Sequence, residues 1–169
     1  MTRPPFPAPE VADIAEVSAQ LGRPARDVLG IAARTAGGAP TVVATAPRLS
    51  DGTPFPTLYY LSHPLATAAI SALEADGLMR ELNERLADEP ELRAGYQAAH
   101  EAYLADRDSI EAVPQLSGIS AGGMPSRVKC LHALAAHSLA AGPGVNPIGD
   151  LALELAKWSP SDDAPPQRD

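Results

Sequence analysis

The spacing of apolar residues divides the chain into stretches of different periodicity. From Glu10 to Leu21 apolar residues recur every three to four positions until a glycine and a proline end the pattern, which predicts a short first helix. Residues 28–35, 41–47 and 57–62 are instead short segments rich in β-branched or aromatic residues, separated by turn-forming stretches. These three segments predict an antiparallel β-meander.

After the third segment the pattern becomes helical and stays so. Pro64 and Pro90 fit the first positions of two helices, with a leucine-faced helix between them. Ser126 is predicted to cap a helix that runs to about Ala141, and Asn146 to begin a last one. The implied fold class is α+β, a small antiparallel three-stranded β-meander packed against several α-helices.

Both ends of the chain have the composition of disordered tails. Residues 1–9 contain four prolines, and residues 159–169 read SPSDDAPPQRD, so neither segment has enough apolar content to offset the entropy lost on ordering. Between them lies no internal repeat and no long linker. We therefore expect residues 10–158 to form a single compact domain, a size that can fold without a disulfide or a structural metal.

Charge and composition narrow the function classes. The 21 acidic side chains exceed the 13 basic ones and give a net charge of −8, which argues against a nucleic-acid partner. No stretch approaches the roughly 18–20 consecutive apolar residues of a membrane span, and the amino terminus lacks the apolar core of a signal peptide. The single cysteine excludes a disulfide framework within one chain and suits a reducing compartment, so we expect a cytoplasmic location.

The densest group of reactive side chains lies in residues 122–132. A glycine pair before a predicted helix start, with Arg127 and Lys129 in the first turn, is typical of a site for a small anion or phospho-ligand. Cations in a first turn also oppose the helix dipole, so a structural ion pair is the alternative. The candidate ligand-binding residues are Arg127, Lys129, Cys130, His132, His63, Tyr60 and Asn146.

The same segment argues against a metal site and leaves catalysis open. On a regular helix Cys130 and His132 would point to nearly opposite sides, and the five-residue spacing of His132 and His137 does not suit a zinc-binding helix. We therefore expect no metal and no cofactor. Lys129 and a helix start would favour a Cys130 thiolate, but nothing in the sequence fixes a base beside it. The familiar nucleotide-binding and hydrolase motifs are absent.

Several long strings resemble a known family. They are QLGRP and VLG within residues 20–30, APRLSDGTPFPTLYYLSHP at residues 46–64, and GGMPSRVKCLHALAAHSLAAGPGVNPIGD at residues 122–150. Through them the chain resembles the actinobacterial domain-of-unknown-function family numbered 501. The resemblance implies an actinobacterial cytoplasmic protein encoded near a septum-formation initiator and an exopolyphosphatase, and it implies no activity.

Three functions remain as alternatives. The first is a domain that binds a small anionic ligand at residues 122–132. The second is a non-enzymatic module that binds a protein partner, linked to cell division or envelope machinery, through the acidic helix at residues 90–112 and its Tyr96 and Tyr103 side. The third is a redox or metal role through Cys130 and His63.

Overall fold

The computed structural model describes residues 1–161, and this part of the chain forms one antiparallel sheet and six α-helices. The strands pair in the order β1-β2-β3: β1 (Val28–Arg34), β2 (Pro40–Thr45) and β3 (Tyr59–Leu61). The helices are α1 (Val11–Leu21), α2 (Pro64–Ala75), α3 (Leu78–Asp88), α4 (Pro90–Ile110), α5 (Leu131–Ala141) and α6 (Pro147–Ala156), with a 3-10 helix at Pro114–Leu116. The predicted α+β fold and its three-stranded meander are confirmed.

The sheet separates two apolar layers. On one face Ile31 and Val43 pack with Val17 of α1. On the other face Tyr59 belongs to the main core, which the sheet shares with α2 to α6. Because neighbouring strand residues point to opposite faces, Tyr59 is fully buried whereas Tyr60 is 38% exposed.

Helix α5 is the central element of the helical layer and contacts β3, α2 and α6. Apolar or small residues lie on nearly every face of this helix, as expected of a helix within a core. Helix α6 packs on it closely at Gly149, where an added Cβ would lie 2.2 Å from the Leu134 carbonyl oxygen. The middle of α5, residues 134–138, is fully enclosed, and partly exposed residues occur near both of its ends.

Helix α5 begins later than the sequence predicts, so Ser126 does not cap it. The backbone N–H of Val128 donates to the Asn83 side chain, which also donates to the Val128 carbonyl. The N–H groups of Lys129 and Cys130 both point to the Gly122 carbonyl. These bonds hold the segment in a non-helical conformation, and the first helical residue is Leu131.

The amino-terminal segment, for which the composition predicts disorder, contacts the sheet and α4. The Thr2 N–H donates to the Ala32 carbonyl of β1, and Arg3 makes a two-nitrogen ion pair with Asp106 of α4. Phe6 packs edge-on against Tyr59. A backbone hydrogen bond, an ion pair and an aromatic contact thus connect residues 2–6 to the rest of the domain.

Two further expectations concern the carboxyl-terminal tail and membrane-spanning segments. Residues 162–169 of the second expected tail lie outside the described residues. Within residues 1–161, no helix combines the length and the apolar character needed to cross a bilayer.

Candidate functional site

The loop that leads into α5, residues 121–130, has a backbone held by hydrogen bonds from several sides. Asn83 of α3 forms both bonds to Val128, and the Tyr96 hydroxyl of α4 donates to the Arg127 carbonyl at 3.1 Å. At Gly123, where φ is +95°, an added Cβ would lie 2.5 Å from that same carbonyl oxygen. The loop therefore presents its side chains from a fixed backbone.

Arg127 and Lys129 are exposed on this loop. Within the described residues neither forms an ion pair. They precede the helix instead of lying in its first turn, because α5 begins only at Leu131. The expectation that these two cations flank a free helix start was therefore wrong in its geometry.

A carboxylate already accepts a hydrogen bond from the first backbone N–H of α5. Glu74, near the end of α2, accepts a hydrogen bond of 2.7 Å from the Leu131 N–H. The same oxygen, Oε1, lies 3.2 Å from Nδ1 of His132. Glu74 therefore supplies the negative charge that a helix amino terminus favours.

Cys130 and His132 lie together at this point. One donor atom each from Glu74, Cys130 and His132 lies within 4.8 Å of the other two. The expectation that Cys130 and His132 point to opposite sides assumed a helix through both residues. Cys130 is instead the extended residue before the helix, with φ −148° and ψ 108°, so its side chain can turn toward His132.

The cluster perturbs the acid–base properties of its members. A hydrogen bond from His132 is the largest cause that lowers the pKa of Cys130, and the Ala133 backbone N–H adds to it. The bond to Cys130 is in turn the largest cause that raises the pKa of His132, against the opposing effect of burial. Burial and the negative charge of Glu74 act in the opposite direction on Cys130, but the net effect lowers its pKa, so the imidazole favours the thiolate.

His132 is also held on its other ring nitrogen. Nε2 lies 3.1 Å from the Ser71 hydroxyl and 3.3 Å from the Thr67 carbonyl oxygen, both on α2. A carbonyl only accepts hydrogen bonds, so this contact favours a proton on Nε2. The orientation of the ring is therefore fixed by α2.

The remaining candidate residues do not join this cluster. His63 is buried at the start of α2 with its ring 5.5 Å from that of Trp158, centre to centre. Asn146 is fully buried, and its amide is used by the Gly149 N–H and by His137. These contacts give Asn146 a structural role as a helix cap.

Tyr60 lies on the opposite side of the sheet and lines a cavity of about 290 Å³ between α1, the sheet and residues 46–56. Its lining combines apolar residues with four charged ones, Arg23, Arg26, Asp27 and Asp51. Sequence reasoning missed this cavity. The stiff DGTPFP stretch, which forms part of its rim, was the available signal.

The long helix α4 does not offer the surface that the interaction hypothesis requires. Tyr96 and Tyr103 are both fully buried. The Tyr103 hydroxyl accepts from the Leu58 N–H, and the Tyr96 hydroxyl donates to the loop before α5. The tyrosine face of α4 thus belongs to the core.

The chain was compared with family models, curated proteins and solved structures. A family model described as a protein of unknown function, DUF501, matches residues 31–154. This range includes most of the sheet, the loop before α5 and the Glu74, Cys130 and His132 cluster. No curated protein matches the chain significantly, and neither does any solved structure.

Proposed function

The chain belongs to the DUF501 family of proteins of unknown function, and we propose that its domain binds a small anionic ligand on the loop that leads into α5. The ligand class is inorganic phosphate or a phosphorylated metabolite. The proposal includes a cytoplasmic location, which suits a chain whose one cysteine is a free thiol.

The observation that carries the proposal is the pair of unpaired cations, Arg127 and Lys129. The chain has an excess of acidic residues and a net charge of −8, yet neither cation has a carboxylate partner within residues 1–161. Because the backbone of the loop is fixed, binding an anion there costs little backbone entropy, and the cost that remains is the rotamer freedom of the two side chains. Phosphate is the anion class that guanidinium and ammonium groups bind well together.

The anion would bind beside the helix start and not on it. Glu74 already accepts the Leu131 N–H, and a second anion at that position would be repelled by its carboxylate. The ligand is therefore expected to lie on the side of the loop that carries Arg127 and Lys129.

The test is isothermal titration and thermal unfolding with phosphate, polyphosphate, nucleotides and sugar phosphates. A ligand at about 100 times its dissociation constant should stabilise the protein by about 2.7 kcal/mol. The double variant Arg127→Ala with Lys129→Ala should lose this stabilisation. Arg23→Ala with Arg26→Ala is the matched control, because it removes the same charge from the cavity beside α1.

Equal loss of binding in both double variants would show only a general charge effect and would contradict the proposal. So would the absence of binding by every phosphate compound. The protein-interaction alternative has less support, because the tyrosines of α4 on which it depends are buried.

A further inference from the structure

Three different metal-ligating groups meet where α2 and α5 join. A carboxylate oxygen of Glu74, the sulfur of Cys130 and a ring nitrogen of His132 all lie within 4.8 Å of one another. The side chains of Glu74 and His132 keep 24% and 25% of their exposure. The cluster is therefore built by residues from two elements and stays within reach of solvent.

The spacing of the donor atoms suits a small ion. Oε1 of Glu74 and Nδ1 of His132 are 3.2 Å apart. Two ligands that each lie about 2.0–2.2 Å from a tetrahedral zinc ion are separated by roughly 3.3–3.6 Å. Small side-chain adjustments would therefore bring both atoms onto one ion.

Hydrogen bonds to groups outside the cluster orient the two side chains that would bind a metal ion, His132 and Glu74. On the neutral ring, the proton that the Thr67 carbonyl favours on Nε2 of His132 leaves the lone pair of Nδ1 on the side of Glu74. Metal-binding histidines commonly donate their other N–H to a backbone carbonyl in this way. The Leu131 N–H holds the Glu74 carboxylate in place.

Two electron-rich atoms 3.2 Å apart need a positive charge between them. With Nε2 protonated, that charge is either a second proton on the ring or a metal ion. The donor set distinguishes among metals, because a thiolate with an imidazole and a carboxylate suits zinc and its neighbours, whereas magnesium and calcium prefer oxygen ligands alone.

We propose that Glu74, Cys130 and His132 bind one divalent ion of the zinc class, with a fourth position left to water or a small ligand. Three protein ligands and an accessible fourth position are typical of reactive zinc sites and differ from closed structural ones. The site goes beyond the anion proposal and does not depend on Arg127 or Lys129.

The first experiment titrates tag-free protein with Co²⁺, whose bond to a thiolate gives a charge-transfer absorption band. We expect one Co²⁺ per chain and displacement by Zn²⁺. Loss of a group outside the ligand set costs about 10–100-fold in affinity, so loss of a ligand in Cys130→Ser, His132→Ala or Glu74→Gln should cost at least about 100-fold. Glu84→Gln, which removes an exposed carboxylate of α3, should leave affinity unchanged.

The second experiment uses the unaltered protein and so does not depend on whether a variant folds. Zn²⁺ should slow the alkylation of Cys130 by iodoacetamide, and a chelator should restore the rate. Equal alkylation rates with and without Zn²⁺ would overturn the proposal, as would equal Co²⁺ affinity of the unaltered protein and Cys130→Ser. The variant Arg127→Ala with Lys129→Ala should retain Co²⁺ binding, which separates this proposal from the anion site.

Discussion

The two histidines of α5 lie five residues apart on one helix and occupy opposite environments. His132 is in the first turn, a quarter exposed, beside Cys130 and Glu74. His137 is fully buried, with its ring stacked on Tyr59 at a centre-to-centre distance of 5.7 Å. One side chain can exchange protons or ligands with solvent, and the other is enclosed by the core.

The pKa values of the two rings are shifted in opposite directions. The pKa of His132 is raised, chiefly by its hydrogen bond with Cys130. The pKa of His137 is lowered to about 4, chiefly by burial. The comparison teaches that the position of a histidine along α5 sets its role, because the helix starts at an open junction with α2 and then passes into the core.

Truncation of each histidine gives the largest expected contrast. His137→Ala should lower the free energy of unfolding by about 3 kcal/mol, because it leaves a cavity between aromatic rings and removes the ring nitrogen that pairs with the Asn146 amide. His132→Ala should lower it by less than about 1 kcal/mol, since that side chain is partly solvated. Urea denaturation measures both values. Equal losses would refute the division of roles.

Acid sensitivity is the next largest expected effect. The unfolded chain protonates His137 near pH 6.5, whereas the folded protein keeps the ring neutral down to about pH 4. The folded state should therefore lose stability as the pH falls from 6.5 to 4, by up to about 3 kcal/mol, with no contribution from this group above pH 6.5.

The control for this prediction is His137→Phe, which keeps an aromatic ring and removes the titration. The nearby charges of Asp106 and Arg3 oppose one another in their effect on His137 and are retained in the variant. We expect unfolding measurements between pH 6.5 and 4 to show a smaller loss for the variant. Parallel curves would show that His137 is not the titrating group.

Most of the fold could be predicted from the sequence, because its signals are local. Each signal lies within a few residues of the element that it defines. The signals are the apolar period from Glu10 to Leu21, the prolines at helix starts (Pro64 and Pro90) and the cap of the last helix (Asn146). The start of α5 could not be predicted in this way. It depends on Asn83, 45 residues away, which holds Val128 out of a helical conformation.

The same reason limits the prediction of the cluster. The sequence identifies Cys130 and His132 as reactive groups. A regular helix through both residues would place their side chains on opposite sides, and this prediction was wrong because the helix begins only at Leu131. The sequence gives no signal for Glu74, because it lies 57 residues before its hydrogen-bond partner Leu131 and resembles any other charged residue on a helix. Only the packing of α2 against α5 brings it to the site.

The smallest expected effect concerns the support of His132 by α2. Ser71→Ala removes the hydroxyl that lies 3.1 Å from Nε2 of His132 and leaves the Thr67 carbonyl in place. We expect Co²⁺ affinity to fall by about tenfold or less, with a change in unfolding free energy below about 0.5 kcal/mol, because Ser71 is exposed. Ser117→Ala, at another exposed serine, is the control and should change neither quantity.

A fall in affinity as large as that of His132→Ala would contradict the assignment of Ser71 as a positioning residue, because the proposed ligands would all remain. A moderate fall without loss of stability would instead show that α2 orients the exposed histidine, as the core orients the buried one.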